Sequence, residues 1–547
     1  MPNHHNKKKH KSKKRSNHDS NNNRESVETL EIEDLTIDDT PQTNGHATES
    51  NETKPEPAKP NHKPYRIAIS EVMGRYLVAN RDLRAGELII KTEPLVVGPC
   101  AESPPVCLGC NADLPRCQKK QYKCNNCGWP LCSAKCKGIK KDYGHSGYEC
   151  DELRKHRVSD FLQDSSDQEV SHMYEAILAL RCLLLKSHRI DVWNKMSEME
   201  SHNELRQKID SLWKRNQKII VDRIRKQWKF DEFSETEIHT ICGILEVNSF
   251  EVGTPGCRAR ALFPEAFYIS HDCSPNTTHT DHPRNHAISI RMTKDIKEGE
   301  MISLSYSYTL QGTLKRRQHL KDSKFFWCEC RRCKDPTELG TYTSALRCPK
   351  CNGGYILSTN TLDQDATWKC QKCEYTLTGK HISTLLDNLF EEMETIDHDE
   401  ADGNEAFLSK YRNVLHKNHY LNLSAKHSLC QVYGRTANHM LQNMSPEELS
   451  RKETICRDLL EVIDVLEPGL SRLRGVIMYE LHAPLMMQAR ILFESKKISS
   501  NDLRKRLKEV KKLLVESENI LSFEPEGSQE SEMALGAKDA LSRLTSV

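Results

Sequence analysis

The sequence predicts a multidomain α+β protein: a β-rich body interrupted by cysteine clusters and followed by an all-helical C-terminal third. Three observations predict it. Short β-type runs broken by Gly and Asn occur at 66–99 and again at 245–310. Cysteines gather in closely spaced pairs at 107–150 and 328–373. From 380 onward the apolar residues follow helical spacing. With 547 residues the chain is too long for one core and suggests roughly three or four structural units.

Residues 1–63 are almost free of aromatics and rich in Asn, Ser, Thr, Lys and Glu, so a disordered tail is expected, basic and then acidic. Within it Lys7 to Arg15 reads KKKHKSKKR, the pattern of a nuclear localisation signal. Order is expected from about Tyr65. Tyr174, Ile177, Leu178 and Cys182 keep a three-to-four spacing, which predicts helix within 170–240. AISIRM and ISLSYSY read as strands. In the C-terminal part, Leu503, Leu507, Val510, Leu514, Ser517 and Leu521 fall on one helical face. Pro468-Gly469 ends a helix after LLEVIDVLE. An antiparallel helical array fits, without a clear 34-residue repeat.

A net charge of +2 with 29% charged residues excludes a polycation, so global charge makes no case for nucleic acid or membrane. No run of about 18 apolar residues occurs, and no apolar stretch follows the basic start, so neither a spanning helix nor a secretory leader is expected. In a reducing compartment disulfides are disfavoured, and paired cysteines read first as metal ligands. The chain has 22 cysteines. The first cluster is Cys107-x2-Cys110, Cys124-x2-Cys127, Cys132-x3-Cys136 and His145-x4-Cys150, eight ligands for two tetrahedral zinc sites. Loops this short cannot build a core, so the metal supplies much of their folding free energy. Cys117 falls outside the pattern. Cys328-x-Cys330-x2-Cys333 offers three ligands and needs a fourth, for which Cys273 in SHDCSPN is the candidate. Cys348-x2-Cys351 with Cys370-x2-Cys373 makes a complete four-cysteine, ribbon-like site. About four zinc ions are therefore expected.

The first cluster resembles a MYND zinc finger. That resemblance implies interleaved sites, Cys107, Cys110, Cys132 and Cys136 on one ion, and Cys124, Cys127, His145 and Cys150 on the other. The family usually has x3 as its last spacer, not x4. SHDCSPN (270–276) resembles the NHSCxPN signature of SET-domain lysine methyltransferases, GEMISLSY (299–306) its GEELxxxY, and FFWCECRRC its post-SET motif. MGRYL (73–77) stands where the family has a Gly-rich turn, and NSF (248–250) before its second half. This order, over roughly 66–540, resembles the SMYD family. NHYLNLSAKHSLCQVYGR and LEPGLSRLRG are similar to its arthropod branch, which carries the extra ribbon. The resemblance implies a SET domain split by a MYND finger, a post-SET zinc site, a zinc ribbon and a TPR-like helical array. Its segments would be SET N-terminal part 64–106, MYND 107–150, helical insert 151–240, SET core 241–310, post-SET 311–340, ribbon 341–379 and array 380–547.

The resemblance further implies transfer of a methyl group from S-adenosylmethionine to a histone or non-histone lysine. Tyr306 would take the catalytic position. Gly74, Arg75, Tyr76, Asn248, Ser270, His271, Tyr306 and Phe326 would contact the cofactor, with Phe326 stacked on the adenine, and Phe250 would line the lysine channel. The MYND finger would bind proline-containing peptides, and the array would recruit partners. A monomer in nucleus and cytoplasm, acting in chromatin and transcription regulation, is the expectation. Three positions depart from the family pattern: Ser270 replaces Asn, Tyr76 replaces Gly and Met73 replaces a basic residue. If the turn needs φ > 0 at Tyr76, the cost is about a kcal/mol or more. These departures open a second reading, a zinc-stabilised scaffold that recruits corepressors without useful catalysis. A third is DNA binding through Lys119, Lys120, Lys123, Lys135, Lys137, Lys140 and Lys141. No GxGxxG follows a strand, which disfavours a Rossmann-type methyltransferase.

Overall fold

The computed structural model describes residues 63–114, 122–163, 165–254, 257–283, 285–397 and 400–545. The expected tail up to residue 62, its basic tract, Cys117, Lys119 and Lys120 lie outside the described residues.

Four strands precede the finger: β1 (Tyr65–Ser70), β2 (Gly74–Ala79), β3 (Leu88–Thr92) and β4 (Val96–Pro99). Six more follow the helical insert: β5 (Phe250–Thr254), β6 (Cys257–Leu262), β7 (Ser270–His271), β8 (Thr277–His282), β9 (Ala287–Met292) and β10 (Ser303–Leu304). The two groups are woven together. The sheet orders are β3-β9-β8 and β4-β6-β5, all antiparallel, so residues 100–249 form an excursion from one continuous body. β7 and β10 pair in parallel, Ser270 with Ser303 and His271 with Leu304. Leu77, Ile90, Ile288, Ile290, Met292, Ile302 and Leu304 build the core of this body. AISIRM is the strand β9, as its pattern predicts. ISLSYSY is not a full strand. Only Ser303–Leu304 is extended, because the Ser305 hydroxyl bonds the Ser307 backbone and draws the chain out of the ladder. That departure places Tyr306 in a loop.

Within the excursion, α1 (Gly147–Lys155) closes the finger and α2 (Asp167–His188) runs through the core. Tyr174, Ile177, Leu178 and Cys182 are all buried. The insert continues through 217–227, which winds more widely than an α-helix. It ends in α3 (Glu235–Asn248), started by a Ser234–Glu237 capping box. This helix spans the expected junction at 240/241 and delivers Asn248 to the site.

After β10 come α4 (Thr313–Lys324) and a four-stranded antiparallel meander, β11 (Leu346–Arg347), β12 (Tyr355–Ser358), β13 (Trp368–Cys370) and β14 (Thr376–Leu377). The array begins with α5 (Gly379–Glu394), α6 (Ala401–Lys410) and α7 (Tyr420–Val432), and ends with α8 (Pro446–Leu466), α9 (Arg472–Glu494), α10 (Ser500–Leu521) and α11 (Gln529–Thr545). α8 starts at a Ser445–Glu448 capping box with proline in its first turn and stops just before Pro468-Gly469. On α10 the stripe Val510, Leu514, Ser517 and Leu521 is buried, and the Ser517 hydroxyl is satisfied by the Gly475 carbonyl at 2.9 Å. The array docks on the β body directly. Leu470 N donates to Thr293 O at 2.8 Å, and Arg472 to His279 O at 2.8 Å. Among the described residues no helix is long and apolar enough to cross a membrane.

Candidate metal centres and methyl-transfer site

The structure gathers sixteen Cys and His side chains into four groups of four, with donor atoms inside each group within 4.8 Å of one another. The groups are Cys107, Cys110, Cys132, Cys136; Cys124, Cys127, His145, Cys150; Cys273, Cys328, Cys330, Cys333; and Cys348, Cys351, Cys370, Cys373. Four sulfurs at about 2.3 Å from one zinc stand about 3.8 Å apart. Cys107–Cys136 at 3.5 Å, Cys110–Cys132 at 3.8 Å, Cys273–Cys328 at 3.9 Å and Cys351–Cys370 at 3.6 Å match that spacing and are far from a bonded pair. The donor sets fit four zinc ions.

In the finger the loops touch backbone to backbone. A Cβ on Gly138 would meet the Gly109 carbonyl oxygen at 1.8 Å, between the two halves of the first site. Gly138→Ala is therefore expected to release one zinc ion, measured as metal per chain after dialysis. In the second site, His145 turns Nε2 toward Cys127 Sγ, 3.6 Å away, and Nδ1 toward Glu149 Oε1 at 2.8 Å. The carboxylate fixes the tautomer that leaves Nε2 free for metal. Glu149 is paired in turn with Arg181 of α2, and both are buried. Burial pushes the Glu149 carboxyl up, but Arg181 and His145 outweigh it and hold it below its ordinary range. Sequence reading missed this pair. Its signal was the lone arginine inside the apolar run ILALRCLLL.

The third group joins Cys273, just after β7, to the segment Cys328–Cys333 that follows α4. Two buried arginines face its sulfurs and backbone: Arg316 Nε stands 3.3 Å from Cys273 Sγ, and Arg332 donates to Cys273 O at 3.4 Å and to Thr309 O at 2.7 Å. Glu338 bridges them at 2.7 and 2.8 Å. Burial raises the Glu338 carboxyl, yet the two guanidiniums hold it at about 2. Four thiolates with one zinc carry a net charge of −2, and the arginine pair, less the one charge of Glu338, offsets half of it.

His271 links this metal group to Tyr306. Its Nδ1 accepts from the Tyr306 backbone N–H at 2.9 Å, and its Nε2 lies 3.2 Å from Cys273 Sγ. Both ring nitrogens are thus used inside the protein, leaving His271 only its backbone to offer a ligand. The Tyr306 hydroxyl donates to Ile269 O. Burial pushes the ionisation of Tyr306 up, so the phenol stays neutral. The Phe326 ring lies 6.0 Å from His271. Asn248 spends both amide hydrogens on Glu200 O (2.8 Å) and Ile244 O (3.0 Å), leaving Oδ1 as an acceptor. Phe250 packs edge-on against Phe263 and His279, each at 5.6 Å.

The Gly-rich turn is built without strain at Tyr76. The positive φ falls on Gly74 (64°), while Tyr76 pairs with Ala68 in β2. The cost anticipated there does not arise. Arg75 is bound within the protein: it donates to Tyr268 Oη at 3.3 Å and to Glu198 O, and lies 5.1 Å from the Tyr268 ring. Met73 is exposed, and Ser270 is half-buried at the start of β7. In the loop 198–202 only His202, in MESH, stands out in the sequence as a candidate cofactor contact; the tie of Arg75 and Tyr268 to Glu198 was not anticipated.

Residues 74–307 match the SET domain family. The chain is 31% identical over 331 residues to SET domain-containing protein SmydA-8, isoform B, of Drosophila melanogaster, covering 58% of this chain and 68% of that protein. The chain belongs to the SMYD family. Isoform A of the same fly protein is 32% identical over 327 residues, 57% of this chain and 65% of the relative. The human histone-lysine N-methyltransferase SMYD3 is 27% identical over 272 residues, 48% of this chain and 59% of SMYD3. The chain thus spans about two thirds of the fly relatives. The cofactor of this SMYD chain is S-adenosylmethionine, and the donor set fits it: a free amide oxygen on Asn248, a half-buried aromatic face on Phe326 and backbone groups at β7.

Proposed function

We propose that the protein is a protein-lysine N-methyltransferase. The observation that carries the reading is Tyr306, a neutral half-buried phenol anchored to Ile269 O and, through His271, to the Cys273 metal group. S-adenosylmethionine supplies an activated methyl group on a sulfonium. The residues around it hold and orient. Phe326 offers a platform for the adenine, and Asn248 Oδ1 accepts from a donor of the cofactor. Phe250 walls the lysine channel. Tyr306 Oη and the Ile269 carbonyl make a polar collar for the incoming amine, which must arrive neutral, since an ammonium has no lone pair. Because the phenol stays protonated, Tyr306 acts by orientation and not as a base.

The substrate is a lysine of a histone or another protein. The finger binds a proline-containing peptide, and the helical array recruits partners, in a transcriptional role in nucleus and cytoplasm. Tyr76 in an unstrained strand removes one of the three arguments for a catalytically dead scaffold. Tyr306→Phe is expected to lower methyl transfer about a hundredfold or more while cofactor affinity changes little. Equal labelling of a lysine peptide by wild type and Tyr306→Phe, measured with radiolabelled cofactor, would overturn the role of Tyr306.

A further inference from the structure

Helix α4 ends on Lys324, and this lysine does not reach for a surface carboxylate. Its Nζ donates to Val247 O at 2.6 Å and Glu246 O at 3.3 Å, at the last turn of α3. The same nitrogen lies 5.8 Å from the centroid of the Tyr306 ring. Glu246, the carboxylate that acts on it through space, is itself paired with Arg206 at 3.4 Å. The neighbours on either side are the groups assigned to the cofactor. Asn248 directly follows Val247, and Phe326 lies two positions after Lys324. A cation over an aromatic ring and against helix-end carbonyls is held in place, but neither contact cancels its charge. Desolvation draws the ammonium down to about 8, so it is still charged at pH 7.

We propose that Lys324 is a fixed cation in the wall of the methyl-transfer site that discriminates by charge, favouring the neutral thioether S-adenosylhomocysteine over the sulfonium S-adenosylmethionine. The proposal rests on the reading that Tyr306 marks this site. The two ligands differ by one methyl group and one positive charge. Two like charges that come within about 10 Å of each other, at an effective dielectric constant near 20, repel enough to shift a binding constant about tenfold or more. The same field disfavours a protonated substrate lysine and favours the neutral amine that the reaction needs. Lys324 is thus a specificity-determining residue, distinct from a strut that merely ties α4 to α3.

The test is titration calorimetry at pH 7 on the full chain with each ligand separately, for wild type, Lys324→Gln and Lys324→Arg. The wild type is expected to bind S-adenosylhomocysteine more tightly. In Lys324→Gln the ratio of the two dissociation constants should fall about tenfold, and in Lys324→Arg it should stay within about twofold. A strut would weaken both ligands by the same factor. An unchanged ratio in Lys324→Gln, with both ligands still bound, therefore overturns the proposal and leaves the methyltransferase reading standing. Absence of binding of either ligand to the wild type overturns both.

Discussion

Replacing Cys273 by serine is expected to lower zinc from four ions per chain to three and to abolish cofactor binding. Cys273 is the distant member of its group, 55 residues before Cys328. A serine hydroxyl is not deprotonated at neutral pH and makes a poor fourth ligand, so the three remaining thiols lose the ion. Three consequences follow from the geometry. Arg316 and Arg332 are left buried against Glu338 alone, an uncompensated positive charge whose burial costs about 3–5 kcal/mol. The His271 N–H loses its sulfur acceptor, and the ring that holds the Tyr306 backbone is freed. The Phe326 platform, two residues from Cys328, loses its anchor. Cys110→Ser is the control. It also removes one ion, from the finger, but should leave cofactor affinity within about threefold of wild type, because Cys110 has no link to His271 or Tyr306. Metal analysis and calorimetry on the same samples decide the matter. Four ions retained in Cys273→Ser, or loss of cofactor binding in both variants, would sink the coupling.

How much of this was visible in the sequence depends on how local the physics is. Cys-x2-Cys pairs declare themselves because one ion fixes both sulfurs within a single turn of chain. The gap left by Cys328, Cys330 and Cys333 even pointed to Cys273 across a long separation. The stripe on α10 and the stop at Pro468-Gly469 were legible for the same reason. The groups that electrostatics places were not. Glu338 reads as an ordinary loop glutamate, and Lys324 as one more solvated lysine in KRRQHLKDSK, until three-dimensional burial gives them partners. ISLSYSY misled because alternation favours a strand, and only the serine-to-backbone bonds at 305–307 show why the strand ends early.

The second large effect concerns Arg181, which joins three parts of the molecule. From the middle of α2 it donates to Glu149 in the finger, to the carbonyl of Val97 in β4 and to that of Leu108 at 3.3 Å. Arg181→Met keeps the unbranched apolar stem of the side chain but removes the guanidinium and strands Glu149, fully buried, with only the zinc-bound His145 beside it. Removing one partner of such a pair costs about 3–5 kcal/mol, enough to lower the melting temperature by several degrees or more. The same loss should weaken zinc at the second finger site about 10- to 100-fold, since the carboxylate that orients His145 is itself no longer held. Glu149→Gln should destabilise comparably, now leaving Arg181 as the unpaired charge. The double variant separates pairing from packing. With both charges gone, no buried ion remains uncompensated, so Glu149→Gln with Arg181→Met should be markedly more stable than the sum of the two single losses predicts. Strict additivity of the three melting curves would show that the two side chains act independently, and that α2 is joined to the finger by packing alone.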